Sequence, residues 1–443
     1  MTYDKAVAYL EGLIDYEKTP AGSAAIRLWN LDRMTYMLGA VGNPHLRLRC
    51  LHIAGTKGKG STAAMAASIL AAGGNRTGLY TSPHLVSFRE RIRTNEGMIP
   101  EAEVVRLVEQ VRPIVEAMRA SEIGLPSFFD AYTLMGLLYF AQQRVDIAVI
   151  ETGLGGRLDA TNVVQPLACG ITRIGLDHTQ ELGATIAQIA WEKAGIIKPG
   201  VPVISSPQAP EAAEVLEAVC LERGAQLLMV GAQGPTITAT RTEDADRQVF
   251  TIRGLEGVYR DLRCPLLGAY QAENAAVAIG LVELASRHGV AAGEEAVRAG
   301  IEQVRWPGRF QIVSRRPHIV LDGAHDEIGA RALAKTVKAV FPGRRVLLVL
   351  GVHLDKDAEA IAEELCPLAD RVIATASSSP RALEASELQK IAFRHSKHTS
   401  AYTPVSLAIR EAVSHAQPDD VILVTGSLYV VGEAMSALGL GPE

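Results

Sequence analysis

The sequence predicts an α/β fold built on a parallel sheet and divided into two units. Short apolar runs alternate with Ala- and Leu-rich stretches of helical period from about Arg47 onward, the texture of repeated strand–helix units. Trp306-Pro307-Gly308 interrupts the chain, and a second strand–helix series starts beyond it. At 443 residues the chain is also longer than one hydrophobic core usually organises.

In the first unit, expected to span 1–304, strands are predicted at Arg49–Ala54, Thr77–Thr81, Asp146–Glu151, Leu167–Arg173 and Pro202–Ser205. From Ala232 to Leu267 the pattern changes to short alternating runs, Val249–Arg253 and Val258–Leu262, which read as antiparallel hairpins appended to the main sheet. Helices are expected at Gln271–Arg287 and Gly293–Val304. The second unit, 305–443, is predicted to hold strands Ile319–Leu321, Arg345–Leu350, Arg371–Ala376 and Val421–Val424 with helices between them. In open sheets of this kind ligands bind at the carboxyl ends of the strands, so the loops there are where chemistry is sought.

Composition excludes several classes. With 48% hydrophobic and 21% charged residues and a net charge of −5, the chain is neither disordered nor collagen-like, and it lacks the basic face that nucleic acid requires. No apolar run of about 18 residues is present and the Met1 end is charged, so neither a membrane span nor a signal peptide is expected. The five cysteines are scattered without CxxC spacing, which argues against a disulfide framework or a thiolate zinc site. A cytoplasmic protein is the expectation.

Gly55-Thr56-Lys57-Gly58-Lys59-Gly60-Ser61-Thr62 follows an apolar strand and opens an Ala-rich helix, Ala63–Ala72. Glycines let backbone N–H groups converge on phosphate oxygens, the helix N-terminus favours an anion, Lys59 adds a point charge, and Ser61 can ligate magnesium. The spacing departs from GxxxxGK[ST]: two residues separate Gly55 from Gly58, and Gly60 stands between Lys59 and the hydroxyls. Glu151, ending its own strand, can hold the magnesium that bridges nucleotide phosphates or can be a salt-bridged strand end. Asp177-His178 follows the next strand and Lys193 sits on a helix beyond; alone, each reads as easily as a structural histidine or a surface lysine. Arg309 stands at the break, able to neutralise phosphate, and Asp322-Gly323-Ala324-His325 follows the strand Ile319–Leu321. Asp322 is either part of a phosphate-facing cluster or a helix N-cap. The segment Gly268–Asn274 is either a helix-capping stretch or an adenine contact.

Taken together, GTKGKGS (55–61), YTSPHL (80–85), ETGLGGRLDATN (151–162), LDHT (176–179), EKAGIIK (192–198), AYQAENAAVA (269–278), WPGRF (306–310), DGAH (322–325) and VTGSLY (424–429) resemble the folylpolyglutamate synthase/dihydrofolate synthase family of the Mur ligase superfamily. The resemblance spans about 370 residues, and the glycine after Lys59 is the family's own variation on the Mur loop. It implies a P-loop-containing, mostly parallel sheet domain of the Mur ligase central type, followed by a smaller Rossmann-like α/β domain. By resemblance, Gly55, Thr56, Gly58, Lys59, Gly60, Ser61 and Thr62 bind ATP together with Asn274, Arg309, Asp322 and His325. Ser61, Ser82, Glu151 and His178 ligate magnesium, two ions being expected, with Lys193 as a carbamate; a monovalent cation is left open. Ser127, Phe128, Phe129 and Asp130, with Leu158, Asp159 and Ala160, line the pterin pocket. The resemblance does not fix the glutamate contacts in the second unit; Ser427 and Lys356 are candidates only. Three positions depart from the pattern: Lys57 where Asn is common, Asp326 where Asn usually follows DGAH, and Leu28-Trp29-Asn30 in place of an Asp-Leu-Gly.

The reaction this implies is ATP-dependent amide formation by a monomer acting on small molecules. A folate or dihydropteroate carboxylate takes the γ-phosphate, and the amine of L-glutamate displaces phosphate from the acyl phosphate. Lys59, Lys193, His178 and Arg309 carry the chemistry, and closure about Trp306–Arg309 excludes water. Two competing readings are a Mur-type ligase with another carboxylate acceptor and an NTP-driven switch without ligase chemistry. A switch has no need of the second cluster formed by Arg309, Asp322 and His325.

Overall fold

In the computed structural model, residues 1–14, 30–118, 123–242 and 246–442 are described; Leu28 and Trp29 lie outside them. The first sheet contains β1 (Cys50–Ala54), β2 (Thr77–Tyr80), β3 (Ile92–Thr94), β4 (Gly97–Met98), β5 (Ile147–Glu151), β6 (Ala168–Ile171), β7 (Val203–Ser205) and β8 (Leu227–Met229). Its order is β4-β3-β2-β5-β1-β6-β7-β8. The strands from β2 to β8 in that order run parallel, and β3 and β4 add an antiparallel edge. All five residues of β1 and of β5 are buried, as expected of central strands covered by helices on both faces.

The helix after β1 runs Lys59–Ala72 rather than starting at Ala63, so Lys59, Gly60, Ser61 and Thr62 form its first turn. It is buried on nearly every side, and its alanines let the helices Tyr270–Ser286 and Glu294–Gln303 approach closely. Gly300 lies directly on the backbone of Ile69, where no side chain fits.

The predicted hairpins are real but are not appended to the main sheet. β9 (Thr236–Thr242), β10 (Gln248–Arg253) and β11 (Val258–Cys264) form a separate antiparallel sheet in the order β11-β10-β9. Phe250, Ile252, Tyr259 and Leu262 pack into the core that surrounds the phosphate-loop helix. Buried Glu283 ties this sheet to the helix Tyr270–Ser286, accepting from the Leu255 and Glu256 amides and the Tyr259 hydroxyl at 2.7, 3.0 and 2.9 Å.

After Gln303 the chain reaches the third sheet: β12 (Gln311–Arg315), β13 (His318–Leu321), β14 (Val346–Leu350), β15 (Arg371–Ala374), β16 (Thr399–Ala401) and β17 (Val421–Thr425), ordered β12-β13-β17-β14-β15-β16. All neighbours are parallel except β12 on β13. Apolar clusters lie on both faces, giving a helix–sheet–helix unit. Leu85 and Val86, from the loop after β2, pack against one of those clusters, so a first-unit loop is seated on the second unit. Among the described residues no helix is long and apolar enough to cross a membrane. All five cysteines are free and buried.

Candidate active site

The phosphate loop leaves the end of β1 and is fixed by its neighbour: the Thr56 and Lys57 amides donate to the Arg173 carbonyl at 3.0 and 3.1 Å. The Thr56 hydroxyl donates to the Gly175 carbonyl at 3.1 Å, so its polar atom is spent on loop shape. Gly58, at φ +94, is the N-cap of the helix; a side chain there is strained and would also strike the Asn274 carboxamide, which lies against the loop. Gly60 is required for another reason. A Cβ at this position would meet the Trp306 indole at 2.8 Å, so the additional glycine admits the indole of the Trp-Pro-Gly break to within contact of the helix start. Ser61 is buried there, and the buried Thr62 hydroxyl has no hydrogen-bond partner among the described residues.

The neighbouring strand ends supply the remaining groups. Glu151 closes β5, and its carboxylate accepts from the Ser82 amide at 3.2 Å. Burial raises its pKa to about 7, against the opposing pull of Lys59, the Ser82 amide and Arg309. The Lys193 side chain is 4% exposed, and its pKa falls to about 7 through burial and then through Lys59. His178 is lowered to about 4 by desolvation in the cleft, with Asp177 working the other way and Lys356, Lys59 and Lys193 adding to the fall. Its imidazole is therefore neutral at pH 7, the form that ligates metals. Lys59 thus acts electrically on Glu151, His178 and Lys193 at once.

From the second unit, Asp322 follows β13. Its carboxylate accepts from the Phe310 and Ala324 amides, both at 2.8 Å, which locks the break to the strand end. The cap of the helix Glu327–Val340 is Asp326, accepting from the Gly329 amide at 2.8 Å, so the N-cap alternative for Asp322 is set aside. The Arg309 side chain lies along Gly323 and acts on both Asp322 and Glu151, one carboxylate from each unit. Among the described residues neither Arg309 nor Lys59 has a carboxylate within ion-pair distance. His325 reaches across to Lys57, Nε2 to Nζ at 3.0 Å. The arginine and the DGAH stretch therefore face the phosphate loop.

The expected pterin pocket is divided differently. Ser127 caps the helix Phe128–Gln142, and Asp130 returns the bond to the Ser127 amide at 2.8 Å, a reciprocal capping box. Phe128 is 2% exposed, in edge contact with Phe88 at 5.1 Å and stacked on Tyr132 at 5.8 Å, so it belongs to the core rather than to an open pocket. Phe129 instead lies against Gly153, just after Glu151. Asp159 accepts from the Leu154 and Thr161 amides at 2.9 and 3.0 Å, shaping the loop that carries half-buried Leu158 and buried Ala160. Of the residues named for glutamate, Ser427 caps its helix and meets His353 at 3.2 Å, whereas the Lys356 ammonium donates to Asp177 at 2.8 Å. Asp177 received no role from sequence, although an acid beside a histidine at a strand end was the available signal.

Residues 53–282 match the Mur ligase middle domain and residues 308–428 the Mur ligase, glutamate ligase domain. The chain is 35% identical to the dihydrofolate synthase/folylpolyglutamate synthase of Bacillus subtilis, covering 98% of this chain and 99% of that one. It is 34% identical to the folylpolyglutamate synthase of Lacticaseibacillus casei, covering 99% of each. Among solved structures, Mycobacterium tuberculosis folylpolyglutamate synthase complexed with ADP superposes with a TM-score of 0.90 at 33% identity, covering 100% of this chain and 99% of that one. An FPGS–AMPPCP–folate complex superposes at 0.84 with 31% identity, covering 99% and 100%. The fold and the two facing clusters define a Mur-type ligase. Within that superfamily the chain belongs to the folylpolyglutamate synthase/dihydrofolate synthase family.

Proposed function

We propose that this protein joins L-glutamate to a folate, to dihydropteroate, or to both, through an acyl phosphate made from ATP. The observation that carries the reading is the pair Lys59 and Arg309: one cation from each unit, both acting on Glu151, neither with a carboxylate within ion-pair distance among the described residues. Two half-buried cations facing one space make it a site for an anion, and a nucleotide triphosphate suits it.

In this reading residues 1–304 bind ATP and the folate, and residues 305–443 bind glutamate. Gly55, Gly58, Gly60 and the first turn of the helix present amides to the phosphates, with Lys59 beside them. Asn274, Arg309, Asp322 and His325 complete the nucleotide site. A carboxylate is a poor electrophile at neutral pH, so phosphoryl transfer supplies the leaving group, and Arg309 and Lys59 offset the repulsion between two anions. Asp322 fixes the backbone that carries Arg309, and Trp306 against Gly60 closes that side of the site to water.

The donor set fits magnesium. Ser61 and Ser82 offer hydroxyls, Glu151 is a buried carboxylate short of a cation, and His178 is held neutral. Lys193 joins the set as a carbamate: burial keeps much of its amine neutral, and only neutral amine adds carbon dioxide. Magnesium, when bound there, neutralises phosphate charge and orients the γ-phosphate. Phe129, Leu158 and the Asp159 loop border the folate site, with Ser127, Phe128, Asp130 and Ala160 supporting it from behind.

The test is ADP release and product mass with tetrahydrofolate and, separately, dihydropteroate. ADP is expected only when acceptor, ATP and glutamate are all present. Full-rate ATP turnover without glutamate would refute the ligase reading.

A further inference from the structure

Lys57 and Asp326 are each other's partners across the two units. The Lys57 ammonium lies 2.6 Å from Asp326 Oδ2, 3.0 Å from His325 Nε2 and 3.2 Å from Asp177 Oδ2. The ligand atoms of Asp177, His325 and Asp326 all fall within 4.8 Å of one another, a spacing that would suit a cation, and the ammonium sits among them. The tautomer agrees. His325 Nδ1 lies 2.8 Å from the Gly323 carbonyl and so carries the proton, leaving Nε2 as an acceptor for Lys57.

The arrangement continues as a chain of alternating charge. Lys356 of the second unit pairs with Asp177 of the first at 2.8 Å, Asp355 lies 3.7 Å from Lys356, and Arg381 holds Asp355 at 2.7 Å. Three cations and three carboxylates balance, and the chain crosses between the units twice, at Lys57–Asp326 and at Lys356–Asp177.

We propose that Lys57 is a positioning residue: its ammonium is a built-in cation that straps the DGAH segment of the second unit onto the phosphate loop. Its charge is spent on the strap, and Lys59, which has no carboxylate within ion-pair distance among the described residues, is left for the nucleotide. The strap keeps the glutamate-binding unit over the acyl phosphate, so loosening it lets water compete with the amine. This rests on the ligase reading above.

The two partners predict a change of sign. Lys57→Met removes the cation but keeps the aliphatic stem, leaving Asp177 and Asp326 facing each other. Asp326→Asn removes the charge but keeps an oxygen to cap Gly329. Removing one partner of an enclosed pair is costly, whereas neutralising both is far less so. Lys57→Met should raise ADP released per amide formed, and the KM for glutamate, by about tenfold, a typical coupling for residues in contact. Asp326→Asn alone should raise them about threefold, yet when added to Lys57→Met it should lower them again by about threefold. The strap residues are between 12% and 24% exposed, so salt screens them in part. Sodium chloride should therefore increase uncoupled ADP release more in the wild-type protein than in the double variant, which keeps only the Lys356–Asp177 crossing, a readout that stands even if Lys57→Met folds poorly. If Asp326→Asn has the same effect in both backgrounds, or the salt response is equal in both proteins, the strap is refuted. Wild-type protein that forms no amide would instead refute the ligase reading.

Discussion

Removing carbon dioxide, or removing the amine that captures it, tests the most unusual group in the site. Lys193 is enclosed, and among the described residues no carboxylate lies within ion-pair distance of its ammonium. Burial, reinforced by Lys59, brings its pKa from 10.5 to about 7. At pH 7 about half of such amines are neutral, against about one in three thousand for an ordinary lysine, so the reactive form is enriched roughly a thousandfold. The same burial makes a bare ammonium expensive beside Lys59, whereas a carbamate reverses the sign and suits magnesium. Mass spectrometry of the intact protein under bicarbonate should show the addition of one carbon dioxide, absent in Lys193→Ala. Ligation should fall by about a hundredfold or more in Lys193→Ala, as when a group that holds a catalytic metal is lost, and recover in part in Lys193→Glu. Activation by bicarbonate should weaken as pH falls through about 7, because the ammonium returns. A wild-type rate in Lys193→Ala, or activity indifferent to bicarbonate throughout, would falsify the assignment.

Gly60→Ala sets a helix-propensity gain of about 1 kcal/mol against an overpacking cost of about 1–3 kcal/mol where the new methyl meets the Trp306 indole at 2.8 Å. The cost should prevail, giving a lower melting temperature and altered tryptophan fluorescence; a more stable variant would show that Trp306 moves aside freely. Glu151 has a raised pKa, so between about 4.5 and 7 the folded protein binds more protons than the unfolded chain and its contribution to stability falls as pH rises. Magnesium should therefore raise the melting temperature more at pH 8 than at pH 5.5, and the difference should shrink in Glu151→Gln. Glu283→Ala leaves the Leu255 and Glu256 amides and the Tyr259 hydroxyl without their acceptor, and should cost about 3 kcal/mol in denaturant unfolding. An unchanged midpoint would mean that the three-stranded sheet docks without it.

The central strands were legible because burial on both faces demands unbroken apolar runs. β1, β5, β14 and β17 are such runs, and their predicted ends lie within a residue or two of the observed ones. β9, β12 and β16 were missed for the converse reason: they are edge strands, half-buried or exposed, and carry no apolar signal. The phosphate loop was legible from residue types at fixed local spacing, whereas Glu151, Lys193 and the DGAH segment, each ambiguous alone, stood out only through the resemblance to family motifs. Phe128 shows the limit of that logic. Its motif position suggests a ligand contact, but helix phase turns its ring into the core and gives Phe129 the outward place.

The order of residues alone therefore determined the α/β class, the break at Trp306–Gly308 and the identity of the phosphate-binding turn, all of them local patterns. Only the tertiary structure decided why Gly60 must be glycine, that Asp326 and not Asp322 caps its helix, and that Lys57 is taken up by Asp177 and Asp326. Lys57 and Asp326 stand 269 positions apart in the sequence. Charge acts through distance in space, and no spacing rule along the chain reveals that the two meet at 2.6 Å.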